Sequence, residues 1–134
     1  MIEEPTELME ALRDKADLEE IKRLIEAGED VNAITIDGDT VLSFACLNSP
    51  EVLWLLLEAG ADPNIEGREG MRVLMHTAQY NENIDACQLL IEYGANIHAK
   101  DIDGNTAVWW SKYNPNREVR YFLQKKMAVT TFKV

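Results

Sequence analysis

The chain has 134 residues, 46% of them apolar and 28% charged, which is the balance of one soluble domain able to bury a core. That balance excludes a disordered chain, and the longest uncharged stretch, Thr40 to Pro50, holds Ser and Asn and is too short to span a bilayer. Of the net charge of −11, residues 1–66 carry −13 and residues 67–134 carry +2, so nucleic acid and anionic membranes would be repelled by the first half and a basic protein attracted to it.

In chain order, Met1-Ile2-Glu3-Glu4-Pro5 lacks the basic start and apolar run of a secretory signal. With Cys46 and Cys87 as the only cysteines, it predicts a cytoplasmic, reducing location. Thr6 to Ala11 opens a first helix, and Asp17 to Leu24 forms a second one that ends before Gly28. Gly38 then serves a tight turn, and Thr40 caps a short helix predicted over Val41–Leu47. A second helix over Glu51–Ala59 stops at Gly60. Its apolar residues Val52, Leu53, Leu55, Leu56 and Leu57 cover more than one face, so it must be packed on both sides. The pattern returns with Gly70, a helix over Val73–Tyr80, a helix over Ile84–Tyr93 and Gly94. It returns again with Gly104, Thr106 as a cap, Ala107–Tyr113 and Arg117–Lys126, followed by an open tail from Met127 to Val134.

The self-similarity is explicit. Leu24-Ile25-Glu26-Ala27-Gly28, Leu56-Leu57-Glu58-Ala59-Gly60 and Leu90-Ile91-Glu92-Tyr93-Gly94 match one another, their glycines 32 and 34 residues apart. Ten residues beyond each comes Gly38, Gly70 or Gly104. A glycine after Leu-Leu-Glu-Ala suits the left-handed position that closes a helix, and the second series suits hairpin tips. A repeat of this period that pairs a turn with two helices resembles the ankyrin repeat. The resemblance covers about residues 5–126. It implies an all-α solenoid of stacked helix-turn-helix units with short hairpin turns, forming a single domain over residues 1–134. The units fall at about 5–35, 36–66, 67–100 and 101–126, with capping units at both ends and a tail at 127–134.

The chain departs from the family's Thr-Pro-Leu-His signature, which reads Thr6-Glu7-Leu8-Met9, Thr40-Val41-Leu42-Ser43, Arg72-Val73-Leu74-Met75 and Thr106-Ala107-Val108-Trp109. No unit keeps the Pro or the His, so the hydrogen bonds that this His makes in the family are expected to be missing and the stack to be less rigid. Unit length also varies by one residue, placed here in the loops at Ser49-Pro50 and Asn81-Glu82-Asn83.

Catalytic chemistry is not expected. His76 and His98 lie 22 residues apart in different structural roles, and Cys46 and Cys87 read as buried small side chains. The close-spaced ligand pairs of a zinc site are missing, each glycine belongs to the repeat, and the carboxylates are scattered. The reading is therefore of no enzyme, no metal and no cofactor.

The resemblance implies protein binding through hairpin tips and the exposed side of the inner helices. In this sequence those positions are Asp37, Asp39 and Leu47, then Arg68, Glu69, Met71 and Tyr80, then Asp103, Asn105, Trp109 and Tyr113, with Ile36, Asn48, Gln79, Ile102, Asn114, Arg13 and Asp14 nearby. Tyr80 and Tyr113 share a column with Leu47, an apolar centre flanked by carboxylates. Adjacent on one helix, Trp109 and Trp110 cannot face the same way, and Trp109 is taken as the exposed one. Trp54 stands in the column of Lys22, Gln88 and Arg120 on the convex side, either packed under the neighbouring outer helix or open as a second contact.

The expected function is that of a non-enzymatic module, monomeric when unbound, that binds and blocks a basic protein partner. At this size, blocking fits better than bridging. A sharper form is an immunity protein neutralising a basic toxin such as a nuclease, and a rival is a structural protein acting by self-association. Neither nucleic acid nor membrane is expected as a partner.

Overall fold

The structure, a computed structural model, describes the backbone of residues 1–132 and the side chains of residues 1–129. Among the described residues, eight α-helices follow one another: α1 Glu7–Arg13, α2 Leu18–Glu26, α3 Val41–Phe44, α4 Pro50–Glu58, α5 Val73–Tyr80, α6 Ile84–Glu92, α7 Ala107–Trp110 and α8 Arg117–Phe132. They form two layers. α1, α3, α5 and α7 pack in sequence as the inner layer, and α2, α4, α6 and α8 as the outer one. The core runs between the layers through fully buried Leu8, Leu12, Ile21, Leu53, Leu56, Met75, Leu90 and Leu123. As its sequence demands, α4 buries Val52, Leu53, Leu56 and Leu57 and packs between α2 and α6. The all-α repeat stack read from the sequence is the fold of this chain.

Both glycine series have left-handed backbones, with φ of 91°, 99° and 95° at Gly28, Gly60 and Gly94 and 85°, 75° and 82° at Gly38, Gly70 and Gly104. At the end of α4, Gly60 N–H donates to Leu57 O at 3.1 Å and Ala61 N–H to Leu56 O at 3.0 Å, which satisfies carbonyls that the helix itself cannot reach. α1 closes with the same pair of bonds, but there Lys15 occupies the left-handed position at φ 55°. The hairpin tips pair backbone to backbone: Arg68 N–H donates to Gly38 O at 3.1 Å, and Ile102 N–H to Glu69 O at 2.9 Å. The amino-terminal segment joins this ladder, which the sequence did not suggest, as Ile2 N–H donates to Ile34 O and Ile36 N–H to Ile2 O.

Three boundaries differ from expectation. Nine positions separate Arg72 from Asn81, but only eight separate Thr40 from Asn48 and Thr106 from Asn114. One residue is absorbed inside the inner helix and another in the loop after it, as expected there: only Ser49 separates Asn48 from α4, but Glu82 and Asn83 separate Asn81 from α6. α3 ends at Phe44 and continues as turns to Asn48, while α7 tightens into a 3₁₀ turn over Ser111–Tyr113. In contrast, α5 matches its predicted span. α8 runs on through Phe132, so residues 127–132 of the predicted open tail are helical, and residues 133–134 lie outside the described residues. No glycine stands at Lys126 to end that helix. Finally, Thr40 and Ser43 cap α3 reciprocally, but Thr106 stands before α7 without a side-chain cap bond.

Candidate functional site

The candidate surface begins with one repeated residue pair at the end of each inner segment. Leu47, Tyr80 and Tyr113 stand 50%, 53% and 53% exposed, and the residue after each is a buried asparagine. The Asn48 amide donates to Leu12 O at 2.9 Å. The Asn81 amide reaches Cys46 O at 2.9 Å and Asn48 O at 3.2 Å. The Asn114 amide reaches Ala78 O and Asn81 O, both at 2.9 Å. On the other side of the last two amides, Asn81 Oδ1 accepts from Asn83 N–H and Asn114 Oδ1 from Asn116 N–H. Every clamp spans two units, so the exposed row rides on a backbone fixed by buried, satisfied polar groups. Asn48 and Asn114 are therefore corrected from contact residues to clamps. Asn81 completes the column, and its spacing of 33 residues from each of the other two is the signal for it in the sequence.

At the hairpin tips, Ile36 and Ile102 are 58% and 74% exposed, and Asp37, Glu69 and Asp103 also face solvent. Arg68 is tied across two tips: its Nε donates to Asp37 O at 2.8 Å and its Nη2 lies 3.4 Å from Asp39 Oδ2. Asp39 is half-buried and carries that partner, so its charge is less available than expected. Met71 and Asn105 are less exposed than expected. Both are half-buried, Met71 packing against the core and Asn105 donating its N–H to Asp101 Oδ1 at 2.9 Å. Arg13 and Asp14 are exposed and paired with each other at 3.2 Å.

The fourth unit adds an aromatic corner. Trp109 lies on the exposed side, its ring 4.9 Å from Trp110 and 5.7 Å from Tyr113, both edge-to-face. The Lys112 ammonium sits 3.7 Å above the Trp109 ring. Trp110 turns inward, and its Nε1–H donates at 2.8 Å to the buried carboxylate of Asp101, which also accepts from Asp103 N–H and Asn105 N–H. The two tryptophans thus divide as the sequence predicted.

Trp54 takes the open alternative. It is 46% exposed on α4 and lines a convex groove of about 500 Å³ that reaches from α2 to α6. The reason is visible next door: Leu18, Gln88 and Leu89 border the groove without roofing it.

The arrangement offers little to bond-making chemistry. Burial pushes the Cys46 thiol up to about 11 and the Cys87 thiol up to about 12, which keeps both uncharged at neutral pH. Burial also holds His76 below its ordinary range, against an upward pull from the Asp39 carboxylate. Among the described residues, no group of three His, Cys, Asp or Glu is placed to hold a metal ion, and no helix is long and apolar enough to cross a membrane.

Comparisons with known proteins agree with this architecture. The chain is similar to a putative ankyrin repeat protein of Acanthamoeba polyphaga mimivirus, 28% identical over 86% of this chain and 15% of that one. It is 37% identical to human BCL-6 corepressor-like protein 1 over 60% of this chain and 4% of that one. These two relatives are therefore far longer than the part that the chain spans. Human cyclin-dependent kinase 4 inhibitor B is 27% identical over 80% of this chain and 78% of its own length. The family model described as Ankyrin repeats (3 copies) matches residues 8–101. Ankyrin repeats mediate protein–protein interaction, and by that match, over more than half its length, the chain belongs to the ankyrin repeat family.

Proposed function

We propose that this protein binds a basic protein through the row Leu47–Tyr80–Tyr113, the Trp109 corner and the hairpin tips, and blocks that partner without catalysing a reaction. The observation that carries the reading is the exposed apolar and aromatic row, fixed by the asparagine clamps, beside a sequence half with a balance of −13. Tyr and Trp bury large areas at little entropic cost, and a field of opposite sign speeds encounter. Blocking is supported by the similarity to a relative of comparable span whose name is that of a kinase inhibitor. In its sharper form, the partner is a basic toxin such as a nuclease, neutralised in the cytoplasm as an immunity protein would do it.

A photo-crosslinking amino acid at position 80 tests this in cells. The expected adduct is a basic protein whose activity falls on binding, and whose affinity drops by about 2 kcal/mol or more with Tyr80→Ala and Tyr113→Ala together. An acidic partner at position 80, or a different protein crosslinked from position 54 but not from position 80, would overturn the reading.

A further inference from the structure

Two features of the outer layer are unused by that reading. The first is the convex groove, with an apolar floor that includes Trp54, Leu55 and Leu89 and acidic side chains at Glu51, Asp85 and Glu92. Lys22 also lines it, but Lys22 lies 4.0 Å from Glu19, so the groove remains acidic. The second is α8, with 16 residues where α2, α4 and α6 have nine each. Arg117, Tyr121, Lys125 and Val129 follow one another at four-residue spacing, all exposed, with Tyr121 and Val129 at 58% and 52%. Such a spacing puts them along one stripe of a helix. Between residues 104 and 129 the only acidic residue is Glu118, against five basic ones.

We propose that α8 of a second copy of this chain occupies the Trp54 groove. The charges are complementary, since a stripe of alternating cations and apolar side chains meets an apolar floor among carboxylates. The order of the outer layer permits closure as well. With α2, α4, α6 and α8 side by side, a twofold axis along α6 sets each α8 opposite the other copy's α4. Both grooves are then filled by one isologous interface, and the inner row is left open. The dimer replaces the unbound monomer expected from the sequence, and it stands independently of the proposed function.

Sedimentation equilibrium of the purified chain from about 1 μM to about 1 mM decides it. The expected mass rises from one copy to two and stops, with the midpoint moving to higher concentration as salt is added. Trp54→Ala, and separately Arg117→Glu with Lys125→Glu, each raise the dissociation constant tenfold or more, while Tyr80→Ala leaves it unchanged. Circular dichroism checks that each variant is folded, and the charge reversal decides the matter if Trp54→Ala is not. A mass of one copy at every concentration overturns the proposal, including the case where the groove takes only an added basic helical peptide. So does a mass that climbs past two copies, or a dimer indifferent to both changes.

Discussion

Two asparagine columns cross this stack with the same chemistry in different surroundings. In the turns after the outer helices, the Asn32 amide donates to Gly60 O at 3.0 Å and its carbonyl accepts from Asp62 N–H at 2.7 Å. Asn64 repeats the pair with Gly94 O and Asn96 N–H, both at 2.8 Å. In the inner column, Asn48, Asn81 and Asn114 are 7%, 7% and 6% exposed. Water can stand in for a lost partner in the turn column but not in the inner one, so the same bond is worth more inside. The inner column also lies directly behind Leu47, Tyr80 and Tyr113, where a rigid backbone serves recognition. A stack that lacks the signature His of its family is thus coupled from unit to unit by asparagine at two depths.

Substitution separates the two columns. Asn81→Ala leaves the carbonyls of Cys46 and Asn48 and the N–H of Asn83 without their partner, and should lower unfolding stability by about 3 kcal/mol in denaturant titration. Asn64→Ala breaks an equivalent pair in the open and should lower it by about 1 kcal/mol. Equal losses would dissolve the distinction. Unit one sharpens it with a change of the opposite sign. Lys15 holds a left-handed backbone at the end of α1, the kind of position that glycine takes after α2, α4 and α6, so Lys15→Gly should raise stability by about 0.5 to 1 kcal/mol.

The smallest effect expected is that of pH. Burial holds the folded His76 below its ordinary value of 6.5, so over the window between the two the unfolded chain binds more protons. The stability contributed by neutral His76 is full above pH 6.5 and is lost as the pH falls through the folded value. Melting temperatures between about pH 7.5 and about pH 5 should fall, and His76→Gln should flatten that slope.

The glycines carried most of the fold in the sequence, because a left-handed cap or hairpin tip leaves few other residues comfortable. Helix geometry alone set Trp109 and Trp110 on different sides, and the Asp101 carboxylate that accepts from Trp110 Nε1–H shows why it is Trp110 that turns inward. Burial of a polar side chain did not follow: Asn48 next to Leu47 reads as surface until the carbonyls of the preceding unit are seen beside it. The shortened α3 was present as an eight-residue spacing, but a count does not say whether helix or loop gives way. Trp54 turned on whether a neighbour roofs the groove, a property of three helices together and not of one.

The most direct measurement is the association rate of the protein crosslinked from position 80, followed against ionic strength for the native chain and for the Tyr80→Ala, Tyr113→Ala double variant. The account predicts a rate that drops steeply as salt rises in both, with faster dissociation in the variant. A rate indifferent to salt, together with unchanged dissociation from the variant, would contradict it.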